Sequence, residues 1–412
     1  MTAGASALAD STRVRDASYG LALFGVHLAF MPLLVLLLPR RVELLAGGDA
    51  ATALSWILLF GALAASVSNI AAGVFSDRWL ERNGSRRGPV ILGLAMMAVG
   101  YLGLAAANSL VVLTAAIIAF QVGLNATMSP VSALLTDYIP NAEKGRIAGL
   151  ANAALPLSSA AIAPLAWVFP RDSSAAFLLV GAIAVACCIP LVALWPFRLA
   201  AQAAPALPIT DPISSAVRRD FALAWLARML IQLGAAFIIG YLYVFVMARF
   251  GATQASAAAS VGSRLGVLSL AATAIATLSA LASGQISDRL GARRLPLAIA
   301  AIVAGLALAV LGTLPGWIPF IAAYALFHAA LAGFLALDTA LVAEMLAAHP
   351  RRAALLGVMN LTNTVPAVLA PGIALFVLER NPMVTALAET LTICAIGCGI
   401  AALAVVCIRS VR

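Results

Sequence analysis

Residues 73–89 read Gly73-Val-Phe-Ser-Asp77-Arg78-Trp-Leu-Glu-Arg82-Asn-Gly84-Ser-Arg86-Arg87-Gly-Pro89, and residues 284–294 read Gly284-Gln-Ile-Ser-Asp288-Arg289-Leu-Gly291-Ala-Arg293-Arg294. The second stretch repeats the opening of the first 211 residues later. Further along, Gly149 and Asn152 are answered by Gly357 and Asn360 at an offset of 208, and the Ala-Pro pair ending at Pro164 by the one ending at Pro371 at 207. Half of the 412-residue chain is 206. Matches in order and at one period indicate internal duplication. They predict a first half over residues 1–196 and a second over 220–412, joined by a polar linker at 197–219 that carries Pro205, Pro208 and Pro212.

The quoted stretches are polar islands in an apolar chain. Hydrophobic residues make up 63% of the sequence and charged residues 10%, with a mean hydropathy of +1.05. A soluble domain needs a polar surface this composition cannot supply, so the chain belongs in lipid. Apolar runs fall at 17–38, 51–75, 89–107, 109–136, 146–168, 174–196, 220–248, 258–283, 295–314, 317–345, 353–378 and 383–407. Each holds roughly the 20 residues that cross a bilayer as a helix. The expected fold is an all-α membrane protein of twelve transmembrane helices in two pseudo-symmetric six-helix halves, with no room for a soluble catalytic domain.

With both termini placed in the cytoplasm, the inner segments hold 18 Lys and Arg and the outer segments 5. That asymmetry sets the orientation in an inner membrane. It also accounts for the net charge of +9: the basic residues mark helix ends and form no patch for nucleic acid. The residues ahead of the first apolar run lack a positive leader and small-residue cleavage site, so an uncleaved first helix is expected. The five cysteines all lie in apolar runs, away from disulfide or zinc positions. No metal, no cofactor and no nucleophile–base pair is expected, and hence no enzyme.

Both quoted stretches resemble the signature loop of the major facilitator superfamily, G-x-x-x-D-R-x-G-R-R, in the positions where that family carries it. The resemblance implies a secondary transporter working by alternating access, monomeric, with a small-molecule solute and the bilayer as its partners. It also implies a cytoplasmic gate: Gly73, Asp77, Arg78, Arg82, Gly84, Arg86 and Arg87 in the first half, and Gly284, Asp288, Arg289, Gly291, Arg293 and Arg294 in the second. Asp137, Arg146 and Glu344 extend that charge network at neighbouring helix ends. The longer first loop, D-R-x-x-x-R-x-G-x-R-R-x-P from Asp77 to Pro89, resembles the branch of sucrose transporters and glycoside–pentoside–hexuronide cation symporters, as does the stretch Asn125 to Asp137. Where the sucrose transporters carry a membrane-embedded aspartate and a sugar-contacting arginine, this chain has Gln121 and Ser132. The sodium-site aspartates of the second helix are also absent.

An ionisable group at bilayer depth costs about 2.5–3.5 kcal/mol on insertion scales, so each one needs an account. In the resembled family the first, fourth, seventh and tenth helices line the cavity. His27 falls on the first, Arg228 with Gln232 on the seventh, and His328 with Asp338 on the tenth. Arg228 and Asp338 each lie seven residues inside the inner end of their helix, about 10 Å deep, which predicts that they pair. The histidines read either as proton or solute groups or as buried residues bonded to a backbone carbonyl. On the fourth helix Gln121, Asn125, Ser129, Ser132 and Thr136 fall within roughly 80° of one another. That stripe lines a polar cavity or packs one helix on another; Asn360, Asn363 and Thr364 of the eleventh helix read as packing. The expected cargo is a small polar organic solute such as a sugar or glycoside, moved with protons; facilitated diffusion stays open. Alternatives are a proton-coupled exporter of drugs or metabolites and a carrier-like delivery or assembly factor for a hydrophobic cofactor, which would have an apolar cavity.

Overall fold

The computed structural model describes residues 2–139, 147, 154–195, 215–251, 257–290, 293–346 and 352–409. Among them there is no strand. The first helical stretch consists of α1 (Thr2–Pro32), a π-helical turn over Leu33–Leu37, α2 (Leu38–Ala46), a 3₁₀ turn over Gly47–Asp49 and α3 (Ala50–Asn83). Then come α4 (Arg87–Ala106), α5 (Leu110–Asp137), a shorter apolar helix α6 (Ala154–Val168) and α7 (Ser174–Leu194). The remaining helices are α8 (Ser215–Phe250), α9 (Ala257–Leu290), α10 (Arg294–Thr313), α11 (Trp317–Met345), α12 (Arg352–Leu378) and α13 (Met383–Val406).

Among the described residues ten helical stretches are long and apolar enough to cross a membrane, the first being Val14–Asn83 with 70 residues. A straight helix of that length would run about 105 Å against a hydrocarbon core of roughly 30 Å. The break comes at Gly47, whose φ of 55° is open to glycine at no steric cost. Pro32 lacks the N–H that an α-helical ladder needs, and the wide turn that follows it is buried along its whole length. Large apolar side chains such as Val67, Val111, Ile318 and Leu403 point outward from these helices, the surface that lipid requires.

The structure moves the signature segments off the loops where the sequence reading put them. Gly73 to Asn83 belong to the last turns of α3, which ends on Gly84 at φ 65° with its N–H bonded to the Leu80 carbonyl, a left-handed glycine cap. Gly284 to Leu290 likewise end α9. The helices run on because Arg78, Leu80, Glu81 and Arg82 in the first segment and Gln285, Arg289 and Leu290 in the second are good helix formers, and the segments need only leave the apolar layer, not the helix.

The chain divides into two compact units, Met1–Ala53 with Phe60–Ala204, and Leu54–Leu59 with Pro205–Arg412. In the first, α1 packs on α7, and α4 on both α5 and α7. In the second, α8 packs on α13, and α10 on both α11 and α13. The same partners recur in the same order. The first unit also joins α3 to α5, where Asn69 donates to Asn125 at 3.0 Å; in the second, α9 meets α11, where Ser279 donates to the Ala329 carbonyl at 2.7 Å.

Candidate functional site

Asp338, seven residues before the end of α11, is completely buried. Its Oδ2 accepts from Arg228 Nη1 of α8 at 3.0 Å, so the two charges expected at one depth do meet. Arg228 Nη2 reaches Asn363 Oδ1 of α12 at 3.5 Å, and the same oxygen accepts from Gln232 Nε2 at 2.7 Å. Asn363 Nδ2 in turn donates to Asn360 Oδ1 at 2.8 Å. Asn360 and Asn363, expected to serve packing alone, therefore extend the polar network of Arg228; a helical amide gives no sequence sign of which way it faces. A recess of about 100 Å³ lies here, lined by Arg228, Thr339, Val342, Met359 and Asn360. Two buried atoms of the ion pair, Arg228 Nε and Asp338 Oδ1, have no hydrogen-bond partner among the described residues.

The other candidates of the apolar layer are spread out. His27 Nδ1 lies 2.8 Å from the Leu23 carbonyl; a carbonyl only accepts, so that nitrogen carries the proton. His328 packs its ring 4.5 Å from Tyr324 and 5.6 Å from Phe327, with Nε2 buried and unpartnered among the described residues. The stripe on α5 divides. Gln121 is buried beside Gly61 of α3, Asn125 is held by Asn69, and Ser129 lies under Gly73, so this part of it lies against α3. Ser132 is exposed. Asn69, the partner of Asn125, was missed because an asparagine alone in an apolar helix stood in no stripe of its own.

At the signature end of the first unit, Arg86 is the hub. Its Nε donates to Asp137 Oδ2 at 2.7 Å, and Nη1 lies 2.8 Å from Asp77 Oδ1 and 2.7 Å from Ser76 Oγ. Burial alone would lower the guanidinium pKa, but the hydrogen bonds and charges of Asp137 and Asp77 hold it above its ordinary value. The second unit repeats the pair 207 residues on: Arg293 Nε donates to Glu344 Oε2 at 2.9 Å. Arg294 donates to the Ile408 carbonyl beyond α13. Arg78, Arg82 and Arg289 are exposed. Arg146 and Gly291, with the surroundings of Gly284 and the side chain of Asp288, lie outside what the structure describes.

The opposite helix ends show a second duplication that the sequence reading did not foresee. Arg40 and Arg41, read as loop charges, are buried. Arg41 bonds the carbonyls of Leu104 and Ala107 at the end of α4 and pairs with Asp172 at 2.7 Å. Arg249 bonds the carbonyls of Leu311, Gly312 and Leu314 at the end of α10. Leu104 and Ala107 stand 207 residues before Leu311 and Leu314. Each arginine satisfies carbonyls left open at a helix C-terminus, where a positive charge is also favoured by the dipole.

Duplication separates scaffold from site. The inner pair and the outer cap occur twice; the Arg228–Asp338 ion pair occurs once among the described residues. For the charges at the ends of α1, α2 and α8 the offsets run from 204, where Arg15-Asp16 answers to Arg219-Asp220, to 208 for Arg41 and Arg249. Within that range Arg228 corresponds to Gly20–Phe24, all apolar, and Asp338 and Asn363 correspond at 207 to Val131 and Pro156.

A family model described as Major Facilitator Superfamily matches residues 17–278. No curated protein matches the sequence. Among solved structures, the chain is similar to the nucleoside transporter NupG, at 14% identity and a TM-score of 0.73, over 95% of this chain and 99% of that one. A POT family transporter in complex with a thioalcohol-conjugated peptide matches at 13% identity and 0.71, over 93% and 94%. A bacterial homologue of the human lysosomal transporter Spinster, inward-facing and unoccupied, matches at 14% and 0.66, over 97% and 94%. At these identities the likeness is one of fold.

Proposed function

Because the chain belongs to the Major Facilitator Superfamily, a family of transporters and not of enzymes, we propose that it is a secondary active transporter whose solute site is the Arg228 network. It carries a small polar organic solute across an inner membrane by alternating access, coupled to protons, with both termini in the cytoplasm. It crosses the membrane twelve times: twice within Val14–Asn83, once at α6, and once in each of the nine remaining spans. The Arg86 cluster and the Arg293–Glu344 pair form the cytoplasmic gate: both sit at helix ends outside the apolar layer, and the more exposed Arg293–Glu344 pair can break and re-form at small cost when helices move. Membership of the sugar-transporting branch rests on the spacing from Asp77 to Pro89.

One observation carries the reading. A buried ion pair beside a recess, at positions whose first-half counterparts are apolar, adds nothing that the fold needs twice, and buried charge is retained in membranes chiefly for function. A lining that includes Arg228 and Asn360 also speaks against a carrier of hydrophobic cofactors. The test is a thermal-shift panel of sugars, nucleosides, organic acids and dyes on the purified protein in detergent. A ligand that binds the native state raises its melting temperature by mass action, by about 2.7 kcal/mol of stability at a hundredfold excess over Kd. At least one polar solute should stabilise the wild type and fail to stabilise Asn363→Leu. Stabilisation by apolar dyes alone, unaffected by that substitution, would refute the reading.

A further inference from the structure

We infer that the solute is a carboxylate-bearing organic anion, taken up by Arg228 together with one proton that Asp338 accepts. The inference rests on the reading of the Arg228 network as the transport site and names the class of cargo. Its first ground is the order of the pair. The arginine lines the recess and the aspartate does not; Arg228 keeps 18% of its side-chain surface and Asp338 1%. An entering solute therefore meets a guanidinium backed by a carboxylate, flanked by the amide of Asn360. A planar fork of N–H donors matches a carboxylate two bonds at a time.

The second ground is charge balance. With Asp338 ionised, the site is a neutral pair. An anion that binds Arg228 competes with Asp338 for the same guanidinium, and a second negative charge in so buried a place is strongly disfavoured. A proton on the Asp338 carboxylate removes that conflict: an O–H bond forms, the ion pair to Arg228 is given up, and the solute carboxylate replaces it. The loaded site is again neutral. A dianion would leave it at one negative charge, and a neutral solute would have no reason to displace Asp338. Asp338 Oδ1, buried and without a partner among the described residues, is an oxygen on which the proton can rest.

Among the described side chains of the neighbouring helices, no other titratable group is seen to reach Asp338. From α8 it is Arg228 that reaches Asp338. From α9, Ser279 and Ser283 face Gly333 of α11, Arg264 is engaged with the carbonyl and ring of Phe250, Arg289 is exposed, and the side chain of Asp288 lies outside the described residues. Between Arg294 and Thr313, α10 has no titratable residue beyond Arg294 itself. From α12, the polar groups brought near are the amides of Asn360 and Asn363. The recess of about 100 Å³ has room for a carboxylate head group beside Arg228.

The experiment uses the full chain in proteoliposomes loaded with a pH-sensitive dye, with lactate, benzoate and gluconate as probes and their amides as neutral counterparts. At least one acid should enter at a rate at least tenfold above its amide, acidify the lumen one proton per anion, and move no net charge when the membrane potential is clamped. Asp338→Asn, a permanent mimic of the protonated state, should still exchange that anion across the membrane but lose accumulation against its gradient under an imposed pH difference. If that variant does not fold, the proton-to-anion ratio and the charge movement of the wild type decide alone. Charge-moving uptake, equal rates for acid and amide, or no transport of any of the three acids would overturn the inference. If neutral sugars or nucleosides are carried in an Asn363-dependent manner, the site stands and only the anion is wrong.

Discussion

Asp338 is the residue on which the most depends. It is fully buried, and its ionic partner among the described residues is Arg228 at 3.0 Å. Removing either member leaves the other uncompensated, which typically costs about 3–5 kcal/mol, whereas replacing both is often close to neutral. We therefore expect Arg228→Met and Asp338→Leu each to lower the melting temperature in detergent sharply, and the double variant to recover at least half of the loss. Strictly additive losses in that cycle would mean that the pair is not coupled in the folded protein. Contact between these two was legible in the sequence because charges are rare in spanning helices and these lay at equal depth. The participation of Asn363 was not, since an uncharged amide can face a neighbour, a cavity or its own backbone at similar cost. The same holds for Asn69, whose bond to Asn125 turns part of the α5 stripe toward α3.

At the scale of the element, the apolar runs located the helices well, because length and hydropathy are all that a bilayer demands. Their ends were less legible. The sequence reading ended the second helix at 75, but α3 continues to Asn83, since a helix can leave the membrane without stopping. What sets the distance between helices lies in the glycines. On α4, a Cβ at Gly93 would come within 2.5 Å of the Thr127 backbone of α5, and one at Gly100 within 2.6 Å of the Phe120 backbone. From the other side, a Cβ at Gly123 would come within 2.3 Å of the Met97 backbone. Backbone against backbone is the closest packing two helices can have, and it replaces the hydrophobic driving force that lipid does not supply. Gly123→Val should therefore force α4 and α5 apart and destabilise the fold by about 1–3 kcal/mol, the usual range for overpacking. Gly399→Ala, inside α13 and with nothing within 4 Å, should not lower the melting temperature and should raise it slightly, since alanine is the better helix former. Equal melting temperatures for wild type and Gly123→Val would show that the two helices are not in this contact.

Over the whole molecule, the repeat that opened the sequence reading is carried in space by charges at the two ends of the helices, but the copies are not equal. Arg86 keeps 7% of its side-chain surface and is shared between Asp137 and Asp77. Its counterpart Arg293 keeps 28%, and Glu344, which it meets, keeps 55%. Sequence alone shows the same Arg-Arg dipeptide in both places, because burial depends on how neighbouring helices close over the residue. The difference has a consequence for stability. A half-exposed pair is screened by water and salt and is worth about 0–1 kcal/mol, while a buried cation that has lost its site leaves carboxylates uncompensated at about 3–5 kcal/mol. Because Asp77 is itself 66% exposed, the value for Arg86 belongs at the lower end of that range. Arg86→Gln should thus cost about 3 kcal/mol in detergent unfolding and respond little to 0.5 M salt. Arg293→Gln should cost about 1 kcal/mol or less, and salt should reduce even that, since exposed charges are screened within a Debye length. The measurement is a pair of melting curves for each variant at low and high ionic strength. If the two arginines prove equally costly, burial does not distinguish the two copies, and the first unit has no claim to the firmer of the two clusters.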